Sequence, residues 1–350
     1  MGTTIAIDLA KSVFELAVAD EHGKVIERKR LGRTQFQRYF DNRFFDHVVM
    51  EACGSSNHWG RWFAAKGMAV SLLPPHYVRA YVRRNKTDRA DATALLEAAK
   101  APDIIPVGVK SIEQQALQGL HRVREAWQST RVARINTLRG LCREFGINAP
   151  VGARRGMAEL TEQVADPSSG VPDLLRGTLT KLLEEIRAIE ENMRGVDREL
   201  AHCASQSAVC DRLRRIPGVG LLTATALVAA VADIHTFRNS RRFASWLGLT
   251  PREHSSGSIR RLGAISKRGD RYIRTLLVHG ARTIVFTANV ARRAGKSLDA
   301  LREWAVGKRA SLGANKAAIA VANKLARIIW ASWYREIDYD FREPMAGVAA

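Results

Sequence analysis

Thr3-Thr4-Ile5-Ala6-Ile7-Asp8-Leu9-Ala10-Lys11 opens the stretch that decides the fold. Its β-branched and apolar residues form a short strand pattern, and a carboxylate, Asp8, sits inside it. Two stretches of the same kind follow at Val13–Ala19 and Lys24–Arg30, with Glu21-His22-Gly23 as a turn signal between them. A helix-like segment at Thr34–Phe40 leads to an apolar run, His47-Val48-Val49-Met50-Glu51, ended by Gly54. A helix around Trp59–Lys66 then passes through Gly67 to a strand at Ala69–Leu73, stopped by Pro74-Pro75, and Asp88–Lys100 has helical composition. The order is three strands, helix, strand, helix, strand, helix, which predicts a mixed α/β sheet with helices on its faces.

The chain then changes character. Leu175, Leu179, Leu182, Ile186, Ile189, Met193, Val196 and Leu200 repeat with alternating steps of four and three, a heptad pattern with every seam position apolar. An earlier helix, about Ile112–Phe145, keeps the same stepping, but Arg124, Arg131 and Arg134 interrupt its seam. Pro150, Gly152, Gly156, Pro167, Gly170 and Pro172 mark a connecting loop between them. Two readings stay open: a helical hairpin within one chain, or a dimerisation stalk whose arginines touch nucleic acid. Residues 206–333 read as a mostly helical region, and the acidic, Gly- and Pro-containing tail beyond them as loosely ordered. The expected division is 1–108, 109–205 and 206–350.

The 350 residues hold 55 Lys and Arg against 35 Asp and Glu, a formal charge of +20. Such an excess points to a polyanionic partner, of which nucleic acid is the commonest. Cys53, Cys142, Cys203 and Cys210 are scattered, which favours free thiols over disulfides or a zinc site. The N-terminus lacks a signal-peptide pattern, and no apolar run has the length of a membrane helix. The expectation is a cytoplasmic, nucleoid-associated protein with no membrane contact.

Asp8 lies within an apolar strand, where a carboxylate is costly unless paired or metal-bound. Glu51 ends a second strand, and Asp88 and Asp91 share one face at the start of a helix. Four carboxylates converging at one end of a sheet would hold two Mg²⁺ ions for phosphoryl transfer. Taken singly, each has an ordinary alternative: Asp88 as a helix cap, Asp91 as a first-turn residue favoured by the helix dipole, Glu51 as a surface charge.

Further on, Arg214-Arg215-Ile216-Pro217-Gly218-Val219-Gly220 precedes a small-residue helix at Leu221–Val231. The pattern resembles a helix-hairpin-helix, with Gly218 and Gly220 letting backbone N–H groups meet a phosphate; a plain tight turn is the alternative. Between residues 252 and 282 stand eight Lys or Arg and two acids, the densest basic patch of the chain. Arg252, Arg260, Arg261, Lys267, Arg268 and Arg271 are its leading phosphate contacts. Within it, Ser255-Ser256-Gly257-Ser258 forms a Gly-flanked loop. A serine there could attack a phosphodiester among arginines, although Ser and Gly are also ordinary loop residues.

Taken together, these motifs resemble the insertion-sequence 110 family of transposases, with its 1111 subgroup. The N-terminal matches are Ile7-Asp8-Leu9-Ala10-Lys11, Met50-Glu51-Ala52-Cys53-Gly54 and Asn85-Lys86-Thr87-Asp88-Arg89-Ala90-Asp91-Ala92. The C-terminal matches are Ile216-Pro217-Gly218-Val219-Gly220, Gly248-Leu249-Thr250-Pro251-Arg252, Ser255-Ser256-Gly257 and Ser266-Lys267-Arg268-Gly269-Asp270. The resemblance implies an N-terminal domain with the RuvC, ribonuclease-H-like fold, a coiled-coil linker and a helical C-terminal transposase domain. It implies Mg²⁺ on Asp8, Glu51, Asp88 and Asp91, and Ser256 as the nucleophile, although Ser255 stands beside it. It also implies target and donor DNA as substrates, a structured bridge RNA as guide, and dimers that pair into tetramers. Two other classes of function compete: a metal-dependent nuclease or junction resolvase using water, and a non-catalytic nucleic-acid-binding protein.

Overall fold

The computed structural model describes residues 2–81 and 88–340. The chain up to Gln115, with Ala230–Asp233, forms one compact unit. Ala116–Ala229 and the chain from Ile234 onward form another.

The first unit is built on five strands: β1 (Thr4–Leu9), β2 (Val13–Ala19), β3 (Val25–Gly32), β4 (His47–Glu51) and β5 (Ala69–Leu73). Helices α1 (Arg33–Tyr39), α2 (Ser56–Ala65), α3 (Pro75–Val78) and α4 (Asp88–Ala99) complete it. The sheet order is β3-β2-β1-β4-β5. β1, β2 and β3 form an antiparallel meander, while β4 and β5 run parallel to β1. This arrangement, with helices on both faces, is consistent with a ribonuclease-H-like domain.

Side chains alternate between the faces of a strand, so each strand feeds two cores. Ile5, Ile7, Phe14, Leu16, Val48 and Met50 pack with Phe36 of α1, Phe40 just after it, and Trp59 and Phe63 of α2. The opposite face carries Ala6, Ala17, Ala19 and Val49, and receives Ala92, Leu95, Leu96 and Ala98 of α4. Small side chains on that face let α4 lie close to the sheet. Burying each large apolar side chain contributes roughly 1.5–3 kcal/mol.

The second unit begins with α5 (Ile112–Glu144), whose first turn belongs to the first unit, followed by α6 (Ala153–Ala165) and α7 (Asp173–Ser205). Six of the eight heptad positions of α7 are buried; Leu175 and Leu182 are partly exposed, and Leu183 turns inward. The seam closes on the same chain. Leu179, Leu183 and Ile186 pack with Ile135, Leu138 and Cys142 of α5, and Val196 and Leu200 pack with Leu117. The helices are therefore an antiparallel hairpin. The connecting stretch, expected as a loop, contains α6: Leu160 and Val164, one turn apart, are buried against the hairpin.

Beyond it come α8 (Ala208–Arg214), α9 (Leu221–Ala230), α10 (Ser240–Trp246), β6 (Pro251–Glu253), β7 (Leu262–Ile265), α11 (Arg271–Arg293), α12 (Ala300–Leu312) and α13 (Ala314–Arg335). α13 is the hub, packed by α8, α10, α11 and α12, and Val321, Ala322, Leu325 and Ile329 are buried along it. The region is helical as expected, except that β6 and β7 pair as an antiparallel hairpin. The tail begins in order rather than loosely: the Ser332 hydroxyl donates to the Ile337 carbonyl at 2.7 Å, and Asp338 pairs with Arg215 at 2.6 Å. Residues 341–350 lie outside the described residues. No described helix is long and apolar enough to cross a membrane.

Candidate active site and nucleic-acid interface

The sheet sets the acidic residues by register. β1 and β4 are paired through Ile7 and Met50, so Asp8 and Glu51 are the next positions on adjacent parallel strands. Ala6 and Val49, two residues back, face α4, and the two-residue period puts Asp8 and Glu51 on that same face. Both are partly buried. Asp91 is also partly buried, one helical turn before the buried Leu95, at the sheet-facing side of the start of α4. The side chain of Asp88, and Asn85-Lys86-Thr87 before it, lie outside the described residues.

The register also brings in a carboxylate that the sequence reading passed over. Glu15 of β2 stands directly opposite Asp8 and shares its face. Glu15, Asp8 and Glu51 thus form a row across β2, β1 and β4. Arg30 reaches Glu15 at 3.4 Å. The missed signal was Glu15 in an otherwise apolar strand, recognisable only once the β1–β2 register is known. Like charges directly opposite on a sheet repel. Among the described residues, no three His, Cys, Asp or Glu side chains are placed to hold an ion. The donor set is nonetheless all oxygen, as Mg²⁺ requires, and the acids share one face.

Ser256 lies at the tip of the β6–β7 hairpin. Its N–H donates to the Ile259 carbonyl at 3.2 Å, and the Ile259 N–H donates back at 3.1 Å. Only Gly257 and Ser258 lie between them, and Gly257 takes a φ of +56°, the left-handed region that glycine favours in two-residue turns. The two neighbouring serines differ. Ser255 Oγ donates to Glu253 Oε1 at 2.7 Å and accepts the Arg261 N–H at 3.1 Å. Ser256 Oγ has no hydrogen-bond partner among the described residues and is exposed.

Two glycine motifs close the base of the hairpin. The Lys267 N–H donates to the Gly248 carbonyl at 3.1 Å and the Ser266 N–H to the Thr250 carbonyl at 2.8 Å. A Cβ at Gly269 would overlap the Trp246 carbonyl, and one at Gly248 would meet the Arg268 nitrogen at 2.8 Å. Every residue from Pro251 to Ala264 is exposed, including Ile259 and Leu262. A two-stranded ribbon with neither face buried is marginal in water.

The basic candidates divide by their partners. Arg261, Lys267, Arg268 and Arg271 are exposed and form no ion pair among the described residues. Arg260 pairs with Glu253 at 3.3 Å, and Arg252 donates to the Ser266 carbonyl at 3.3 Å. Arg124, Arg131 and Arg134 face α7 instead, paired with Asp197, Glu190 and Glu185 at 2.6, 2.6 and 2.9 Å. These three charges are balanced inside the helical hairpin, and they bind α5 to α7 where a heptad reading sees only interruption. The Gly218–Gly220 turn lies between α8 and α9. Gly218 has a φ of +79°, and a Cβ on Gly280 of α11 would overlap its carbonyl. A cleft of about 420 Å³ opens there, lined by Arg214, the 215–220 turn, Thr283 and Arg302.

A buried polar cluster ties the helices behind this region. His121 of α5 meets the Tyr272 hydroxyl through Nδ1 and the Thr225 hydroxyl through Nε2, each at 3.0 Å. Burial, aided by the nearby Arg124 charge, pushes its pKa down to about 4. The four cysteines are free: Cys142 and Cys210 are buried, and Cys53 and Cys203 are partly exposed.

Residues 5–146 match a family model described as a transposase of the DEDD type found in IS110. Residues 210–296 match the transposase IS116/IS110/IS902 family. Over 96% of its length the chain is 40% identical to a probable family 20 transposase of Pseudomonas aeruginosa, covering 98% of that protein. It is 39% identical to the transposase for insertion sequence element IS1111A of Coxiella burnetii, covering 96% of this chain and 90% of that one. A more distant relative, 26% identical over 81% of this chain and 83% of its own, is the pilin gene-inverting protein of Moraxella bovis. DEDD-type domains generally use divalent metal ions. Two family models and two transposases matched over at least 90% of both chains agree with the sheet and helical unit described above: the chain belongs to the IS110 family of transposases and is a DNA recombinase.

Proposed function

We propose that the chain moves its own insertion sequence by serine-mediated strand exchange, guided by a structured bridge RNA. The observation that carries this reading is Ser256, an unengaged hydroxyl at the tip of an exposed basic hairpin, beside a Ser255 held in structural hydrogen bonds. Asp8, Glu51 and Asp91, with Asp88, would hold Mg²⁺, and Glu15 adds negative charge to the same face. Two such ions, when bound, supply charge neutralisation at the attacking and leaving oxygens of phosphoryl transfer.

Ser256 Oγ loses its proton and bonds to phosphorus, while the P–O bond to one deoxyribose oxygen breaks and that oxygen takes up a proton. Arg261 and Arg268 face the charge that gathers on the phosphate. In the return step a hydroxyl of another strand attacks the phosphoserine, and Ser256 Oγ leaves. One P–O bond forms as one breaks at each step, so the joined strands need no external energy source. The turn at Gly218 and Gly220, with Arg214, and the basic residues Arg252, Arg260, Lys267 and Arg271 would hold the backbone.

The acidic part (1–108), the helical hairpin (109–205) and the serine-bearing part (206–350) act as functional segments in this reading. Dimers pair into tetramers, the acids of one protomer serving the serine of another. Because the heptad seam is filled within the chain, such dimers would use outer surfaces of the hairpin. The +20 charge accords with binding RNA and DNA together.

The competing reading is a metal-dependent nuclease or junction resolvase that uses water and leaves free ends. The pilin gene-inverting relative weighs against it, since inverting a gene requires that cut ends be rejoined. The test is expression with the DNA flanking the gene, denaturation in detergent and a search for covalently attached DNA. Wild type should carry an adduct, and Ser256→Ala and Asp8→Ala should carry none while still binding DNA. Cleaved DNA without adduct would replace the serine by water.

A further inference from the structure

A second cationic cluster lies away from the β6–β7 hairpin. On α12, Lys308 Nζ stands 5.4 Å from the centre of the Trp304 ring; from α13, Lys324 Nζ stands 4.5 Å from the same ring. One ammonium over an indole is ordinary packing. Two sharing a single ring repel each other, and their neighbours add to the repulsion. Burial, then Arg327 and Lys308, hold Lys324 below the ordinary lysine range, and burial with Arg241 of α10 does the same to Arg327.

The sequence offers the two lysines little relief. From Trp304 to Arg335 stand six Lys or Arg and no acid, and from Ile234 to Arg252 four Arg and no acid. The two carboxylates that border the first stretch are engaged elsewhere: Glu303 pairs with Arg292, and Glu336 stands 4.0 Å from Arg212. α10 and α12 both pack on α13, so these acid-free stretches share one region of the second unit. Repulsion designed into a rigid helical surface is stable when a polyanion covers it. Asn323, next to Lys324, donates to the Leu249 carbonyl at 3.1 Å, which fastens α13 to the turn from which β6 departs. Part of α13 thus lies beside the base of the hairpin.

We propose that Lys308 and Lys324, mounted on Trp304 and flanked by Arg241 and Arg327, form a second DNA-backbone site, which holds a phosphate run beyond the one at the serine hairpin. The proposal rests on the chain acting on DNA but is independent of which group is the nucleophile.

The test is equilibrium binding of the full chain to a random-sequence DNA duplex across a salt series. Each phosphate neutralised contributes roughly 0.9 to the slope of log affinity against log salt. Lys308→Gln/Lys324→Gln should flatten the slope by roughly 2 and Lys308→Gln alone by roughly 1, while Lys308→Arg/Lys324→Arg keeps the wild-type slope. An unchanged slope in the glutamine variants, with wild type binding normally, overturns the site and leaves the proposed strand exchange standing. A slope that flattens with duplex RNA but not with DNA overturns it in favour of RNA. Loss of the adduct in Lys308→Gln with the slope intact also counts against it, because binding is then not what the lysine provides. Melting curves check folding, and Lys308→Gln serves alone if the double variant unfolds.

Discussion

Ser255 and Ser256 are neighbours with opposite duties. Ser255 joins Glu253 to the Arg261 amide and so fixes the two strands on either side of the turn. Ser255→Ala should loosen the hairpin and slow adduct formation several-fold without abolishing it, read by the same denaturing assay. Gly269 is a constraint of a different kind, since a methyl there overlaps the backbone at Trp246 and Leu247. Gly269→Ala should cost about 3 kcal/mol, seen in denaturant melts, because backbone cannot yield as a side-chain tip can. His121 makes stability depend on pH. Its folded pKa, about 4, lies below the ordinary value of 6.5. Between those values the unfolded chain binds the extra proton, so stability is full above about 6.5 and falls as pH drops towards 4. The loss should reach about 2 kcal/mol by pH 5, and His121→Gln should remove that dependence.

Elements of the first unit were legible almost residue by residue, because period-two strands with Gly and Pro stops leave little freedom. The expected strands Val13–Ala19, His47–Glu51 and Ala69–Leu73 coincide with β2, β4 and β5. Pairing was not legible: nothing local shows that Glu15 faces Asp8, since register is a relation between strands. The hairpin β6–β7 hid for another reason. Its residues are exposed on both faces, so no alternation of apolar and polar side chains advertises a strand. In α5, arginines at seam positions read as gaps because a heptad scan counts only apolar residues, whereas their partners sit on α7. Core and rim of that helical hairpin should therefore respond differently. Leu183→Ala should cost about 2–5 kcal/mol. Arg131→Gln should cost roughly 1 kcal/mol or less, because its partly exposed pair with Glu190 is screened by solvent, and its effect should shrink in high salt. Thermal melts at two ionic strengths distinguish the two.

At the scale of the molecule, the units carry different chemistry: acids gathered on one sheet face, and basic residues spread over helices and a ribbon. Chelation should abolish cleavage and leave salt-sensitive duplex binding intact, which a paired cleavage and binding assay in EDTA would show. The division between the units is not a clean cut in the chain. Ala230–Asp233, from the last residue of α9 onward, returns to the first unit: Ala232 fills the space beside Gly108, and the Val231 carbonyl accepts from Gln114 Nε2 at 3.0 Å. A gene fragment ending at Gln115 encodes a unit lacking four of its own residues, and the remainder encodes four residues with nowhere to bind. Chimeras that splice one relative's front half to another's back half would thus inherit a mismatched plug, so natural shuffling within this family should favour whole-gene exchange or crossovers that carry the plug and its socket together.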